Sequence, residues 1–324
     1  MQSKRKDEHI AEALNQEVKM NDFDNISFMH HALPKYDLKD ISLKTMYLNS
    51  EFNYPFYINA MTGGSKKAKE INRKLSKLAN EFGLMMVLGS QSIAIKDGSY
   101  ADTFSVARQE NPYGYIVANL SANATVSEAE KAIQMIDANA LSIHINSVQE
   151  LIMVEGDIEF KHWKENIREI VQNIDVPVIV KEVGFGLSSV TINELKDIGV
   201  KYFDVSGKGG TNFASIENQR GGNLPFLEDW GISTVNALID NKNVTDAEVF
   251  ASGGIRHALD VVKALVLGAK AVGLSKFFLE LSEYSYDLAK VELELFIQNI
   301  KKIMVLLSVD TTQKLREVPY IIKK

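Results

Sequence analysis

Short apolar runs recur along the chain from about residue 55, and most of them end in glycine or polar residues that lead into a helical pattern. This alternation is typical of parallel β-α-β units. Eight of the runs have the length and composition of buried strands. The predicted strands span residues 55–60, 84–88, 115–120, 141–146, 176–181, 202–206, 249–252 and 271–275.

Between these runs, apolar residues recur at steps of three and four, which is the period of a helix packed on one face. In residues 66–82 this face consists of Ile71, Leu75, Leu78 and Phe82. Further predicted helices cover residues 127–139, 161–173, 188–198, 233–240, 256–268 and 286–307. The pattern predicts an α/β protein with a (β/α)8 TIM barrel. A Rossmann-like open sheet is the alternative, but no G-x-G-x-x-G follows an early strand.

Residues 1–54 precede the first predicted strand and contain the charged segment RKDEH. We expect them to form an N-terminal extension, or lid, that packs on a barrel built from residues 55–324 and contributes substrate-binding residues. No linker rich in Pro, Gly or Ser separates a second domain.

Composition narrows the possible functions. The 324 residues include no Cys, which excludes disulfides, thiolate metal sites and Cys nucleophiles and is compatible with a reducing compartment. The formal net charge of −6 argues against a general nucleic-acid binder. The opening residues lack the apolar core of a signal peptide, and no run approaches the ~18 apolar residues of a membrane span. We therefore expect a cytoplasmic protein that binds no membrane and no nucleic acid.

Active sites of such barrels lie at the carboxyl ends of the strands. The residues there are mainly glycines, amides, hydroxyls and charged groups: MTGG at 61–64, GSQS at 89–92, Asn119, HINSVQE at 144–150, KE at 181–182, SGKGGTN at 206–212, SGGIR at 252–256, and SK at 275–276.

The turn after the seventh predicted strand indicates a phosphate site. Barrels commonly bind phosphate with the loops after strands seven and eight and a helix N-terminus. Gly253 and Gly254 would let backbone N–H groups approach phosphate oxygens, and Lys276 would add a charge. A tight turn into a helix is the alternative for this Gly-Gly pair.

Strand four supplies a second group of polar residues. Alternation places Ser142, His144 and Asn146 on one face, opposite an apolar face that should contact the outer helices. His144 and Asn146 would then line the barrel mouth, where Glu150 could ligate Mg²⁺ beside a diphosphate. A hydrogen-bonded structural histidine is the alternative for His144 alone.

Lys181 ends the fifth predicted strand, where an ammonium needs a negative partner such as a phosphate or a reduced flavin. A salt bridge to Glu182 or Asp204 is the alternative. For Arg5, Lys6 and His9, composition alone favours a solvated terminal charge run.

Taken in order, the motifs RKDEH, MTGG, GSQS, HINSVQE, VIVKEVGFG, DVSGKGGTNF and FASGGIR closely resemble those of the type 2 isopentenyl-diphosphate isomerases, FMN-dependent enzymes of isoprenoid synthesis. The resemblance extends over nearly the whole chain. It implies a TIM barrel that moves the double bond of isopentenyl diphosphate to give dimethylallyl diphosphate without net redox change. It also implies reduced FMN as the proton carrier, Mg²⁺, NADPH as reductant of the flavin, and a homo-oligomer of four subunits or more.

The resemblance also implies roles for individual residues. FMN would be bound by Met61, Thr62, Gly63, Ser90, Asn119, Lys181, Ser206, Thr211, Gly253, Gly254, Ile255, Arg256, Ser275 and Lys276. The substrate would be bound by Arg5, Lys6, His9, Ser90, Gln91, Ser92, His144, Asn146 and Gln149. Gln149 would lie next to the reacting carbons as the catalytic residue, and Glu150 would be the Mg²⁺ ligand. This chain has Lys276-Phe277 where the family pattern has Arg-Pro, which puts the local phosphate geometry in question.

Three other functions compete with this interpretation. An FMN-dependent 2-hydroxy-acid oxidase needs a His base after strand six, where this chain has Ser206-Gly207-Lys208. Inosine-monophosphate dehydrogenase needs a Cys nucleophile and is excluded by the composition. A non-catalytic flavin or phosphate sensor would have no reason to combine His144, Gln149 and Glu150.

Overall fold

The computed structural model describes residues 2–16, 20–61 and 63–323, with the side chains of residues 2–5 outside the description. These residues form twelve short strands. In chain order they are β1 (Ile26–Phe28), β2 (Thr45–Tyr47), β3 (Ser50–Phe52), β4 (Phe56–Ile58), β5 (Met86–Val87), β6 (Ile116–Ser121), β7 (Ala140–His144), β8 (Val178–Lys181), β9 (Tyr202–Asp204), β10 (Glu248–Phe250), β11 (Val272–Leu274) and β12 (Tyr320–Ile322).

Strands β4 to β11 form one eight-stranded parallel sheet in the spatial order β10, β9, β8, β7, β6, β5, β4, β11. A parallel bridge between Ala251 and Val272 joins the two outer strands, so the sheet closes on itself. This closure confirms the predicted (β/α)8 TIM barrel, and each of the eight predicted strands overlaps one barrel strand.

The described residues also form thirteen α-helices. They are α1 (Gln2–Asn15), α2 (Lys66–Phe82), α3 (Ser92–Lys96), α4 (Asp102–Glu110), α5 (Val126–Ile136), α6 (Ser147–Ile152), α7 (Trp163–Asn173), α8 (Ser189–Lys196), α9 (Phe213–Gln219), α10 (Thr234–Asp240), α11 (Ala258–Val266), α12 (Lys276–Glu283) and α13 (Tyr286–Leu306). In the part of the chain that the structure describes, no helix is both long and apolar enough to cross a membrane.

In helix α2, capping residues close to the apolar pattern determine both ends of the helix. Its bounds equal the predicted residues 66–82, because Ser65 accepts a hydrogen bond from Ala68 N at the start and Gly83 ends the helix with a φ of 67°. By contrast, α4 was not predicted. It is a nine-residue helix that buries Phe104 and Val106, too short for a clear period in the sequence.

The alternating side chains of the barrel strands form two separate apolar cores. Leu141 and Ile143 belong to the outer core shared with the helices, which confirms the predicted face of strand four. Val117 and Phe250 belong to a smaller core that also includes Tyr47 of the β2–β3 hairpin. The hairpin therefore packs on side chains of the barrel interior, at the end opposite the strand carboxyl termini.

The residues before β4 are divided between the two ends of the barrel. The β2–β3 hairpin joins the inner core, whereas α1 lies across the carboxyl ends of the strands. Lys6 Nζ donates to Ser90 O at 2.8 Å, and Ser65 Oγ donates to Asp7 Oδ1 at 2.6 Å. Helix α1 is thus fastened to two neighbouring loops of the barrel.

Arg108 joins the loop that leads into β6 to the segment that leads into β7. In the loop before β6 its guanidinium donates to Asn111 O at 3.1 Å, Pro112 O at 3.2 Å and Gly114 O at 2.8 Å. In the segment before β7 it donates to Ile136 O at 3.0 Å, Asp137 O at 2.6 Å and Asn139 Oδ1 at 2.9 Å. The contacts with Asn111 O, Gly114 O and Ile136 O are partly buried, so removal of the guanidinium takes a donor from carbonyls that water reaches only in part.

We expect Arg108→Ala to lower the free energy of unfolding by ~2–4 kcal/mol. Arg73→Ala is the control, because Arg73 forms ion pairs with Glu70 and Glu110 through side chains that are all partly exposed, so its loss should cost little. Urea unfolding of both variants makes the comparison. Equal losses in the two variants would contradict the assignment.

Candidate active site

A cavity of about 950 Å³ opens at the carboxyl ends of the barrel strands. Its walls combine the strand ends, the turns after β9 and β10, the start of α12 and one face of α1. Ligand cavities typically measure roughly 300–1,000 Å³, so this one has room for more than a single small group.

Most of the site residues predicted from the sequence border this cavity. Those that do are Lys6, His9, Met61, Ser90, Ser92, Asn119, His144, Asn146, Gln149, Glu150, Lys181, Ser206, Thr211, Gly253, Gly254, Ile255, Arg256, Ser275 and Lys276. Thr62 and the side chain of Arg5 lie outside the described residues.

Gln91 and Gly63, which were predicted to bind the substrate and FMN, do not border the cavity. The Gln91 side chain is fully buried, where Nε2 donates to Ala132 O at 2.9 Å and Oε1 accepts from Asn119 N at 3.1 Å. It supports the loop after β5. A Cβ on Gly63 would lie 1.9 Å from the Phe104 ring, so Gly63 serves close packing.

The floor of the cavity is organised by the buried carboxylate of Asp204. Its Oδ2 accepts from Tyr57 OH at 2.9 Å and Asn59 Nδ2 at 3.3 Å. Its Oδ1 accepts from Ser252 Oγ at 2.7 Å and Ser206 N at 3.1 Å. These donors come from the ends of three different strands, so one carboxylate fixes their relative positions.

Lys181 lies beside Asp204 in the neighbouring strand and is 6% exposed. Its Nζ donates to Glu182 O at 2.6 Å. Burial lowers the pKa of Lys181, while the charges of Asp204 and Glu182 oppose that shift. No ion pair of Lys181 with either carboxylate occurs among the described residues, so the salt-bridge alternative is not what the structure shows.

Glu182 is committed to its own loop. Its Oε2 accepts from the backbone N–H groups of Val183 at 2.6 Å, Gly184 at 2.7 Å and Phe185 at 2.5 Å. Burial raises the pKa of Glu182 to about 7 in spite of these donors. Because Val183 and Gly184 border the cavity and Glu182 does not, this carboxylate shapes one wall from behind.

His144 faces the cavity and pairs with Asn119, whose Oδ1 lies 2.9 Å from His144 Nδ1. Burial lowers the pKa of His144 to about 3, and the positive charges of Lys181 and Lys6 act in the same direction. The imidazole is therefore neutral near pH 7 unless a negative ligand binds beside it.

The side chains of Asn146, Gln149 and Glu150, at the beginning of α6, form a continuous hydrogen-bond chain. Asn146 Nδ2 donates to Glu150 Oε1 at 2.9 Å and to Gln149 Oε1 at 3.3 Å. The second oxygen of Glu150 accepts from Asp157 N at 2.9 Å. Asn146 Oδ1 is buried without a protein partner, and it is therefore an acceptor that a ligand can use.

The chain continues to Glu217, a residue that the sequence pattern did not indicate. Gln149 Nε2 donates to Glu217 Oε1 at 2.9 Å, and Arg220 Nη1 donates to Glu217 Oε2 at 2.5 Å. His9 Nε2 of α1 lies 3.0 Å from Glu217 Oε1 but is not aligned for a hydrogen bond. Glu217 lies in α9, away from any strand end, and only its i, i+3 spacing from Arg220 could have drawn notice.

The groups around the Glu217 carboxyl keep it ionised. Burial raises the pKa of this carboxyl, but the contacts with His9, Gln149 and Arg220 outweigh burial and hold the pKa at about 2. Arg220 in turn pairs with Glu8 of α1 and with Glu155, each at 3.3 Å. The pair Glu217 and Arg220 thus connects α1 to the β7–α6 turn.

The turn at residues 253–256 has the backbone shape of an anion site. Gly253 and Gly254 adopt φ values of 87° and 75°, a conformation that favours glycine. Thr234 Oγ1 donates to Gly253 O at 2.6 Å, and Asn21 Nδ2 donates to Gly254 O at 2.8 Å. With these carbonyls occupied and Arg256 N donating to Asp260 Oδ2 at 3.1 Å, the amide N–H groups of residues 253–255 are the polar atoms suited to an anion.

The side chain of Arg256 is already committed to carboxylates. Its Nη atoms donate to Asp24 at 2.7 and 2.8 Å, and its Nε donates to Asp260 at 2.8 Å. Hydrogen bonds to Asp24 and Asp260 raise the pKa of Arg256. Arg256 therefore places the turn, and its guanidinium charge is neutralised before any ligand binds.

Ser275 and Lys276 begin α12 at the edge of the cavity. Lys276 Nζ donates to Gln16 O, just after α1. Phe277 stacks on Phe296 with ring centroids 4.4 Å apart. The Lys-Phe pair thus keeps a cation at the predicted phosphate site and fixes the start of α12 by stacking.

A model of the FMN-dependent dehydrogenase family matches residues 118–320. A variant of flavocytochrome b2 with benzoylformate aligns with a TM-score of 0.69 at 18% identity, covering 96% of this chain and 82% of that one. Mandelate oxidase with benzoyl-formic acid aligns with a TM-score of 0.66 at 15% identity, covering 97% and 94%. The fold and the site together define an enzyme of the FMN-dependent (β/α)8 barrel class.

Relatives by sequence narrow that class. The chain is 46% identical to an isopentenyl-diphosphate delta-isomerase of Staphylococcus epidermidis, covering 97% of this chain and 91% of the relative. It is 51% identical to one of Latilactobacillus sakei, covering 85% and 80%, and 44% identical to one of Streptococcus gordonii, covering 99% and 96%. The chain belongs to the isopentenyl-diphosphate delta-isomerase family, in its FMN-dependent type, and is an enzyme of the isomerase class. The resemblance seen in the motifs is confirmed.

Gly210 offers a test of the anion site. A Cβ at this position would lie 2.6 Å from Gly254 N, so Gly210→Ala must displace the turn. We expect the Kd for FMN to rise at least about tenfold, or ~1.4 kcal/mol. Gly98→Ala is the control, because a Cβ there meets nothing within 4 Å. Quenching of flavin fluorescence measures both affinities, and an unchanged Kd for Gly210→Ala would contradict the assignment.

Proposed function

We propose that this protein converts isopentenyl diphosphate into dimethylallyl diphosphate in isoprenoid biosynthesis, by adding a proton at one carbon and removing one from another. The observation that carries the proposal is that a glycine turn suited to one phosphate and a cluster of cationic and amide groups suited to a second anion border one cavity. Family membership gives the substrate its name.

The residues present fit FMN. Gly210 approaches the glycine turn so closely that a Cβ would collide with it, and Lys181 and Lys276 each donate to a neutral carbonyl, so their charges can meet an anion. The proposed FMN-binding residues are Met61, Thr62, Gly63, Ser90, Asn119, Lys181, Ser206, Thr211, Gly253, Gly254, Ile255, Arg256, Ser275 and Lys276, of which Gly63 acts through packing and Arg256 through the turn. In its reduced form FMN supplies a proton donor and acceptor beside the alkene.

The diphosphate is proposed to bind on the side of the cavity formed by α1, the loop after β5 and the end of β7. The proposed contacts are Arg5, Lys6, His9, Ser90, Ser92, His144 and Asn146. Within residues 1–54, helix α1 is proposed to act as the lid that excludes water from the alkene. Gln91 supports this side by fixing the loop that carries Ser90 and Ser92.

Mg²⁺ is proposed to bind through Glu150 and the substrate phosphates. No group of three or more acidic, His or Cys residues that could hold a metal occurs among the described residues. A single carboxylate suits Mg²⁺, which commonly uses one or two carboxylates together with phosphate oxygens and water. Asn146 and Asp157 N orient the two oxygens of Glu150.

Gln149 is proposed to lie next to the reacting carbons as the catalytic residue. Its side chain is 8% exposed and is held at both ends, by Asn146 and by Glu217. Fixed orientation of a polar group beside a reacting centre contributes to catalysis without reorganisation.

NADPH is needed only to reduce the flavin at the outset. The protein is also proposed to be cytoplasmic and to form a homo-oligomer of four subunits or more.

The decisive experiment adds NADPH and Mg²⁺ anaerobically to the FMN-loaded protein, followed by isopentenyl diphosphate. We expect bleaching of the flavin and then formation of dimethylallyl diphosphate without further NADPH consumption. Bleaching without isomerisation would instead support a reductase or sensor. Gln149→Ala should retain the flavin but lose most of kcat, by about 100-fold or more.

His144 gives a pH prediction. Its pKa is about 3 before binding, and the negative charge of a diphosphate must raise that pKa. Substrate binding should therefore take up a proton at His144, and affinity should increase as the pH falls through the raised pKa of the complex towards the free value of about 3. Calorimetry in two buffers with different ionisation enthalpies measures the uptake. His144→Gln should remove this component, and identical proton uptake in both proteins would contradict it.

A further inference from the structure

We propose that Glu217 is a positioning residue that fixes which end of the Gln149 amide faces the reacting alkene. The inference rests on the proposed isomerase function and deepens it. Glu217 is 1% exposed and does not border the cavity, so it acts through Gln149 and touches no ligand itself.

The first constraint on Gln149 is the ionised state of Glu217. An ionised carboxylate only accepts hydrogen bonds, so the Gln149 group that faces Glu217 Oε1 at 2.9 Å must be the NH2 group. Arg220 occupies the other oxygen at 2.5 Å and keeps the carboxylate charged. A reversed amide would place its oxygen against a carboxylate oxygen.

The second constraint comes from the opposite end of the hydrogen-bond chain. Glu150 Oε1 accepts from Asn146 Nδ2, and the same NH2 group donates to Gln149 Oε1. Two carboxylates, Glu150 and Glu217, therefore terminate the chain and fix both amides in one direction. The atom that Gln149 presents on the side of Asn146 and the cavity is its carbonyl oxygen.

This orientation has a chemical consequence. Protonation of the alkene creates positive charge on the tertiary carbon, and an amide oxygen directed at that carbon stabilises the charge. The Glu217 carboxylate on the N–H side increases the electron density of that oxygen, because hydrogen bonds in a chain polarise one another. Reversal of the amide would direct two N–H dipoles at the developing cation.

Glu217→Gln tests the proposal with little change in shape. The introduced amide has one oxygen and one NH2 group, so it must direct NH2 either at Arg220 or at Gln149, and one donor–donor contact remains in each case. We expect kcat to fall about 10- to 100-fold at saturating substrate. If wild type isomerises isopentenyl diphosphate and Glu217→Gln does so equally fast, this proposal is overturned and the proposed function stands. If wild type itself shows no isomerase activity, the proposed function is overturned.

A double-mutant cycle distinguishes positioning from a structural role. If Glu217 acts through Gln149, then Glu217→Gln should change kcat by less than about twofold when Gln149→Ala is already present. Losses that multiply in the double variant overturn the proposal. Glu194→Gln is the control for loss of a carboxylate, because Glu194 pairs with Lys164 through side chains that are more than half exposed and should leave kcat within about twofold of wild type.

The double variant Gln149→Glu, Glu217→Gln tests whether the activity lost in Glu217→Gln can be restored. Restored activity would show that the loss in the single variant was not a folding defect. The amide introduced at position 217 can donate to the carboxylate at position 149 while it accepts from Arg220, so every donor again meets an acceptor. Because an oxygen again faces the cavity, kcat should recover at least about fivefold relative to Glu217→Gln alone. Failure to recover in a folded, FMN-containing protein overturns the proposal.

Discussion

The buried carboxylate of Asp204 is the interaction on which the cavity depends. A carboxylate inside a barrel is costly unless hydrogen bonds compensate for lost water, and here Tyr57, Asn59, Ser206 and Ser252 supply them. Because these donors belong to the ends of β4, β9 and β10, the requirement to satisfy one charge brings three strand ends into register. Loops that carry ligand-binding residues then begin from fixed points.

The charges around this floor are arranged in two ways. Arg256 and Arg220 are paired with carboxylates, so they connect segments of the protein without adding net charge to the cavity. Lys181 and Lys276 donate instead to main-chain carbonyls, which carry no net charge, and the nearby carboxylates of Asp204 and Glu182 favour the charged form of Lys181. A neutral His144 beside Lys181 limits repulsion before binding. The cavity therefore has cations where an anionic cofactor and substrate are proposed to bind.

The parts of this arrangement that follow from the local pattern of apolar and polar residues could be predicted from the sequence. Strand period and the carboxyl-end rule placed His144, Asn146 and Lys181 at one mouth, because side-chain alternation is fixed within each strand. The local pattern did not indicate Glu217, since its contact with Gln149 spans 68 positions and lies in a short helix. Gln91 differs from Glu217, because its motif indicated a ligand contact whereas its amide is buried and supports a loop. Long-range packing decided both cases.

The central claim is that flavin and diphosphate occupy one cavity, and the flavin absorption spectrum tests it directly. Isopentenyl diphosphate should be titrated with Mg²⁺ into the oxidised FMN-bound protein while the visible difference spectrum is recorded. Binding in the same cavity should change the polarity around the flavin and give a saturable spectral shift with the same Kd as calorimetry. Calorimetric binding of substrate with no change in the flavin spectrum would contradict the account.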